Sequence, residues 1–322
     1  MAIMTSSDVI KINNSEELVG VIDECIGVIP ELQFFGASPV TKNTYKTLCV
    51  SALPTVGFRA PGTMREFSTP TLGNKTVELK YLDAMWILES SLADMDDWGR
   101  EEAIAIQQKF HLKSALEKVA SQTWYGASAI DGGFNGLKGI IGAVSDADTD
   151  DGTMVIQVDS GAITDGTSVF AVRTGLDSIQ YAWGNGGRFF EGEIIKTPRI
   201  NLNAGGTALE GAYYYSQELA SWVGLQVTSR NAAAMITGLS AAVANKGLTD
   251  DLLYQLIEKF PAGAPPQAIF MSRRSLGQLR KSRTATNATG APAPIPTEIE
   301  GIPIYATDAI VNNETSDSSS GS

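Results

Sequence analysis

Hydrophobic and polar positions alternate at the end of "FRAPGTMREFSTPTLGNKTVELKYLD" (residues 58–83). Val77, Leu79 and Tyr81 fall on one face, Glu78 and Lys80 on the other, which is the period of a β-strand. Just upstream, "TYKTLCVSALPTVGF" (44–58) reads as a first strand leading into the same segment. Gly57, Pro61, Gly62, Pro70 and Gly73 punctuate it, as turns and exposed edges require. The pattern predicts a long two-stranded ribbon running on into "AMWILES" (84–90). Such a ribbon has too little apolar mass to bury itself. Ordering about 30 residues costs roughly 1–2 kcal/mol each in backbone entropy, and a hairpin alone is marginal in water. Val77, Leu79, Tyr81 and Trp86 therefore need a surface, and a neighbouring subunit is the natural supplier.

Elsewhere the period changes. Residues 14–29 predict a short helix capped by Asn14, with Glu16 and Glu17 in its first turn. Its apolar stripe is Leu18, Ile22, Cys25, Ile26 and Ile29, and Pro30 ends it. From Asp97 to Trp124 the chain has no proline, and Ile106, Phe110, Leu116, Ala120 and Trp124 recur at helical spacing. Leu112 and Val119 widen that stripe. At about 1.5 Å per residue this helix is on the order of 40 Å long, a beam across one side of the molecule. The glycine-rich "YGASAIDGGFNGLKGIIG" reads as a turn region. Short strands follow at "MVIQV" (154–158) and "TSVFAVRTG" (167–175). Residues 188–236 predict long antiparallel strands with a loop around Asn203–Leu209. The run Tyr213 to Tyr215, with Trp222, suits a sheet covered in part on both faces. A second helix is expected over 249–260, capped by Thr249. Residues 265–283 read as strand, cap at Ser272, then helix. A Pro/Ala/Thr loop (284–297) leads to a last strand, "GIPIYATD". The polar end "NNETSDSSSGS" predicts disorder. No internal repeat stands out.

Composition narrows the classes. With 322 residues, 43% hydrophobic and 19% charged, the chain suits two subdomains sharing a core. No run of about eighteen apolar residues predicts a membrane span. The first residues lack the basic and apolar regions of a signal peptide. Cys25 and Cys49 read as free thiols in a reducing compartment, not a disulfide framework. The net charge of −12 argues against a protein that grips DNA or RNA, because affinity for phosphates comes mostly from Lys and Arg.

Candidate chemistry is sparse. His111 is the one histidine. It sits mid-way along the long helix without a G-x-S-x-G elbow or a histidine partner for zinc, and reads as a surface or interface residue. In "GGFNGLKG", Gly133, Gly136 and Gly139 are three apart, which matches no phosphate loop. A turn that lets backbones approach closely is the better reading. In "DADTDDG", Asp146, Asp148 and Asp150 take the first, third and fifth positions of a calcium loop. The sixth is Asp151, not glycine, and the twelfth is Gln157, not glutamate. A solvated turn is favoured. The basic run "SRRSLGQLRKSR" (272–283) carries Arg273, Arg274, Arg280, Lys281 and Arg283. With few aromatics beside it, subunit contact or a solvated helix face is favoured over nucleic acid. No catalytic residue, cofactor or metal ligand is expected.

The motifs "PELQFFGASPV" (30–40), "LPTVGFRAPGTMREFS" (53–68), "SQTWYG" (121–126), "FNGLKGI" (134–140) and "EGIPIYATDAIVNNE" (300–314) carry a resemblance through their order. Together with the arm, ribbon, beam helix and long strands, they resemble the major capsid proteins of tailed bacteriophages, over nearly the whole chain. The resemblance implies an α+β, Hong Kong 97-like fold. It implies an N-terminal arm at 1–42 and an extended loop at 43–91. A peripheral domain is implied at 92–130 and 190–240, an axial domain at 131–189 and 241–312, and a disordered tail at 313–322. It further implies a structural protein that self-assembles through pentamers and hexamers into an icosahedral shell around double-stranded DNA. Its partners would be copies of itself, a portal, scaffolding or decoration proteins, and DNA held by containment, with no membrane. The implied location is the virion, with assembly in the host cytoplasm. Some family members crosslink subunits through Lys and Asn, and no such pair is identified here. Because the sequence starts at the arm, a separate scaffolding protein, or none, is implied. Arg59, Arg65, Val77, Leu79, Lys80, Tyr81 and Trp86 are the candidate subunit-contact residues. An acidic wall would also avoid adhesion to packed DNA.

Three other readings compete. A nanocompartment of the same fold would hold an enzyme cargo in place of a genome. A mixed α/β enzyme would use the Asp/Gly segments as active-site loops, but histidine, phosphate-loop and metal-ligand signals are missing. A fibre or adhesin is opposed by the long helix.

Overall fold

The computed structural model describes residues 27–64, 67–95, 99–145, 154–158, 163–197, 213–243, 245–285 and 291–314. Most of the helix expected over 14–29, the Asp-rich segment 146–152 and the loop Asn203–Leu209 lie outside them. Ile29, at the end of that expected helix, is not helical.

The beam helix runs over Arg100–Tyr125, with Glu101 and Glu102 in its first turn, where carboxylates meet the positive end of the helix dipole. Its two ends lie in different cores. Ala103 and Ile104 pack with Trp86, Leu88, Ala93, Tyr215 and Leu219. Val119, Ala120 and Trp124 enter the main core with Phe35, Phe170 and Phe270. Between Ile104 and Ala115 no residue is fully buried. The predicted stripe is therefore covered at its C-terminal end, half-covered at Ile106, Phe110 and Leu116, and exposed at Leu112.

The main core rests on a six-stranded mixed sheet in the order Glu298–Ile299, Ile302–Ala306, Ala268–Met271, Thr167–Val172, Ala233–Leu239, Val155–Gln157. Thr167–Val172 is buried at every position, as expected of a central strand covered on both faces. The helix Asp250–Glu258 is capped by Thr249 Oγ1, which accepts from Leu252 N–H at 3.4 Å. Ser272 likewise caps Arg273–Ala285 by accepting from Ser275 N–H at 3.3 Å. Both caps stand where the sequence put them.

A second sheet orders Ala37–Pro39, Ile179–Trp183, Leu219–Val227 and Lys80–Asp83, with Phe190–Glu191 also paired to Leu219–Val227. A third places Ile195–Thr197, Tyr214–Gln217 and Trp86–Glu89 side by side. The last is the ribbon alone, Thr44–Ala52 against Thr71–Glu78. The alternation around Val77 thus does not continue as one ribbon. The ribbon ends at Glu78, Lys80–Asp83 joins the second sheet and Trp86–Glu89 the third. Leu79 marks the change, its N–H donating to Asn43 O at 2.9 Å.

The glycine turn after the beam is a close backbone approach. A Cβ on Gly126 would stand 2.3 Å from Phe134 O, and one on Gly136 would stand 2.5 Å from Gly126 N. Gln122 Nε2 donates to Phe134 O at 2.9 Å across the same turn. The polar end of the chain is ordered further than expected. Glu314 is buried, and its carboxylate accepts from Tyr125 OH (2.6 Å), Ser168 Oγ (2.7 Å) and Lys138 Nζ (3.1 Å). Low-complexity composition hid this, because the partners are more than 140 residues away.

Glu31 clips the chain's entry to its exit. It is fully buried, and its Oε1 accepts from Trp124 Nε1 at 2.8 Å and from Thr307 Oγ1. Val28 N–H donates to Asp308 Oδ2 at 2.8 Å, and Asp308 N–H returns to Val28 O at 3.1 Å. Glu31 Oε2 has no hydrogen-bond partner. Burial lifts the Glu31 carboxyl above its ordinary range, and the nearby Asp308 carboxylate adds to the rise, against opposing hydrogen bonds from Thr307 and Trp124. A carboxyl raised in the fold stabilises it fully below the unfolded pKa, and that contribution is lost as pH climbs toward the folded value. Glu31→Gln keeps the acceptor and removes the proton. Its melting temperature should match the wild type near about pH 4 and exceed it near about pH 8. A difference that stays constant across a pH series of thermal melts would refute this account.

Candidate assembly surface

Among the described residues, the paired part of the ribbon rests on the body as far out as Cys49. There, Lys75 Nζ donates to Val227 O (3.4 Å), Gln226 Nε2 to Thr47 Oγ1 (2.9 Å) and Cys49 Sγ to Thr228 O (3.6 Å). Farther out the chain is exposed. Leu53, Val56, Phe58, Met64 and Phe67 each leave more than four-fifths of their surface in water, and Phe58 is fully exposed at 112%. Isolated exposed apolar residues are ordinary, but a contiguous set marks an interaction surface. One turn and a bond across the two sides hold the tip together. Thr63 N–H donates to Ala60 O at 3.2 Å, and the Arg59 guanidinium binds Thr63 O. Ser68 Oγ reaches Thr55 O at 2.9 Å across the two sides.

The candidate contact residues separate into three groups. Arg59 is exposed at the tip, and Arg65 lies outside the described residues. Val77 is half-buried and Leu79 is buried against Val40 and Ala182. Trp86 is fully buried, and its Nε1 donates to Gln217 Oε1 at 3.0 Å. The expectation that Leu79 and Trp86 need a neighbour's surface is thus corrected: their own chain supplies it. Tertiary pairing with strands more than 100 residues away decided this, and no local pattern encodes it.

Lys80 and Tyr81 remain at the surface. Lys80 Nζ pairs with Glu78 Oε2 at 3.2 Å, an exposed contact worth little by itself. Tyr81 is 47% exposed and packs edge-on to Trp222, with ring centroids 5.1 Å apart. Its hydroxyl donates to Glu218, and that bond chiefly pushes the phenol up to about 12. Sequence reasoning missed Leu53, Val56, Phe58, Met64, Phe67, Trp222 and Phe190. For the first five the signal was present, as apolar residues inside a stretch rich in proline and glycine.

The basic helix faces its own chain. Arg283 makes a bidentate pair with Asp250, at 2.7 and 3.0 Å to its two oxygens. Arg280 Nε donates to Ala293 O at 2.8 Å, and Arg274 binds the carbonyls of Asn312 and Asp165. Subunit contact or free solvation was the sequence expectation for this face; Arg274 and Arg280 bind loop carbonyls of their own chain, and Arg283 pairs with the first residue of the helix Asp250–Glu258. His111 is half-buried on the beam helix, and burial lowers its pKa. Among the described residues no group of three or more His, Cys, Asp or Glu is placed to hold a metal, and no helix is long and apolar enough to cross a membrane.

A helix bridging two cores, mixed sheets and a projecting two-stranded ribbon make up an α+β, Hong Kong 97-like capsid fold. Among solved structures, a chain in bacteriophage Epsilon15 superposes with a TM-score of 0.69 over 98% of both chains, at 14% identity. That likeness shows the fold. The procapsid of bacteriophage JBD30 gives a TM-score of 0.43 at 12% identity, over 86% of this chain and 90% of that one. The SrpI encapsulin complex of Synechococcus elongatus gives 0.44 at 9% identity, over 73% and 95%. The last two scores are too low to carry argument. No protein-family model and no curated protein matches the sequence.

Inward and outward residues should separate in stability measurements. Trp86→Ala should cost about 3–5 kcal/mol, and Leu79→Asp should destabilise the chain by burying a charge. Phe58→Asp, at the exposed tip, should leave the unfolding free energy from urea melts unchanged within about 0.5 kcal/mol. Equal losses for all three would show that the tip packs inward.

Proposed function

We propose that this chain is the major capsid protein of a tailed bacteriophage, a structural protein that builds a closed shell. The observation that carries the proposal is a capsid-type fold over 98% of this chain whose ribbon exposes apolar side chains that its own body does not cover. A protein that works alone gains nothing from such exposure, whereas a protein that assembles gains buried area at each contact.

The finer picture belongs to the same proposal. Pentamers and hexamers would close an icosahedral shell around double-stranded DNA, with residues 131–189 and 241–312 nearest the capsomer axis. The outer, peripheral part would be 92–130 and 190–240, and the extended loop 43–91 would reach a neighbour through Arg59, Arg65, Val77, Lys80 and Tyr81. Portal, scaffolding or decoration proteins would complete the particle, formed in the host cytoplasm and retained in the virion. The acidic balance of the chain supports containment of DNA over binding to it.

The test is microscopy of purified protein. Negative stain should show rings of five or six, tubes or closed shells. Phe58→Asp should reduce these assemblies strongly while the melting temperature holds. A discrete monomer or dimer that never assembles, even under crowding or with a scaffolding partner, would overturn the reading. Particles from the native source that hold an enzyme and no nuclease-protected DNA would replace it with the nanocompartment.

A further inference from the structure

The dipeptide Asn–Gly occurs twice in the chain, at Asn135–Gly136 and Asn185–Gly186. It carries its own chemistry. The backbone nitrogen of the glycine is an internal nucleophile for the asparagine side-chain carbonyl, and no Cβ on the glycine obstructs the approach. Reaction needs two freedoms. The side-chain amide must turn toward that nitrogen, and the backbone between them must rotate. The fold denies both to one dipeptide and leaves both to the other.

Asn135 is exposed but pinned. Its Oδ1 accepts from Ser128 N–H at 3.0 Å. The nucleophile is engaged as well, because Gly136 N–H donates to Gly126 O at 2.8 Å. Gly136 is buried, and Phe134 and Leu137 on either side of the dipeptide are buried too. Rotation here would break the close turn that ends the beam helix, so reaction at Asn135 waits for that turn to open.

Asn185 is in the opposite state. It lies in the short turn Gly184–Gly187, three of whose four residues are glycine. The ends of this turn are packed. A Cβ on Gly184 would stand 2.5 Å from Trp222 Cβ, and one on Gly187 3.2 Å from Pro39 Cβ. The middle is open: Asn185 and Gly186 are exposed, and a Cβ on Gly186 would meet nothing within 4 Å. Among the described residues no hydrogen bond holds the Asn185 side chain. Its backbone stands at φ 52° and ψ 38°, the left-handed region that residues with a Cβ occupy at a cost. Strain therefore favours leaving this conformation, and the flanking glycines permit the rotation.

We propose that Asn185 is a site of spontaneous deamidation in the folded chain, and that Asn135 is protected from the same reaction by its turn. The Gly186 nitrogen loses its proton and bonds to Asn185 Cγ. The Cγ–Nδ2 bond breaks, and ammonia leaves with that proton. A five-membered succinimide remains. Water adds to either ring carbonyl and the bond from that carbonyl to nitrogen opens, giving aspartate or isoaspartate. One water is consumed and one ammonia released, with no change of oxidation state. Solvent is the only co-reactant.

The position gives the reaction a consequence. Asn185 lines an open groove of about 500 Å³ together with Tyr81, Phe190 and Trp222, where the charged residues are Lys42 and Glu218. Deamidation adds a second carboxylate to that lining, in a chain whose net charge is already −12. The isoaspartate product also inserts a methylene into the main chain of the turn. Neither change reverses by itself, so the groove's charge records the age of the chain. This chemistry is independent of assembly.

The experiment incubates purified full-length chain in mildly alkaline, ammonium-free buffer, then digests it quickly at low pH and maps the peptides by mass spectrometry. Aspartate and isoaspartate should both appear at position 185, and Asn185 should be lost at least about tenfold faster than Asn135. In urea, where neither turn survives, the two rates should converge. Gly186→Ala, whose Cβ obstructs the attacking nitrogen, should suppress the product at position 185 in the folded chain. The proposal is overturned if Asn185 stays intact in the folded chain while it reacts in urea. It is overturned equally if Asn185 and Asn135 react at the same rate in the folded chain.

Discussion

Trp124 closes the main core, and the rest of the molecule is positioned from it. It stands in the last turn of the beam helix, fully buried. Its ring meets Phe170 at 4.8 Å, Phe270 at 5.2 Å and Phe35 at 6.1 Å between centroids. These partners come from two central strands and from the segment that enters the fold. Each aromatic contact adds about 0.5–1.5 kcal/mol beyond the area it buries. The indole N–H is used too, on Glu31. Fixing this end fixes the direction of a helix about 40 Å long, and its far end then meets the smaller core around Trp86. The strand Lys80–Asp83, just before Trp86, leads back from there to the root of the ribbon.

The ribbon obeys a different constraint. Its two strands pair only with each other, with a register shift between Val50 and Ala52, and many of its side chains are not covered. The structure spends burial at the root, where Leu79, Val77 and Val40 join Ala182, and leaves the tip apolar and open. Burial is thus uneven along one segment: the root belongs to the fold, and the tip stays exposed.

Several elements were legible from local pattern. The beam helix, the caps Thr249 and Ser272, the close glycine turn and the existence of a two-stranded ribbon beginning near residue 44 all follow from short-range physics: helical or strand period, side-chain to backbone hydrogen bonds, and the lack of a Cβ. The candidate site was only half legible. Under-burial of the ribbon was evident, and Tyr81 was placed at the surface. The residues chosen as most in need of cover, Leu79 and Trp86, have that cover already. The apolar residues that lack it sit among prolines and glycines, where periodicity has no meaning.

The sequence by itself determined where the beam helix, the two capped helices and the ribbon lie, though not the helix Leu137–Ser145 inside the glycine-rich stretch read as a turn, and that one long segment has little to bury itself with. Those properties depend on neighbours a few residues apart. The tertiary structure alone decided which apolar side chains face inward, that Arg274 and Arg280 bind loop carbonyls and Arg283 pairs with Asp250, that Glu314 is held inside, and that Tyr81, Phe190 and Trp222 line one groove. Each of these joins residues that are distant along the chain, and burial is settled only when all the strands and helices that compete for a surface have found their places.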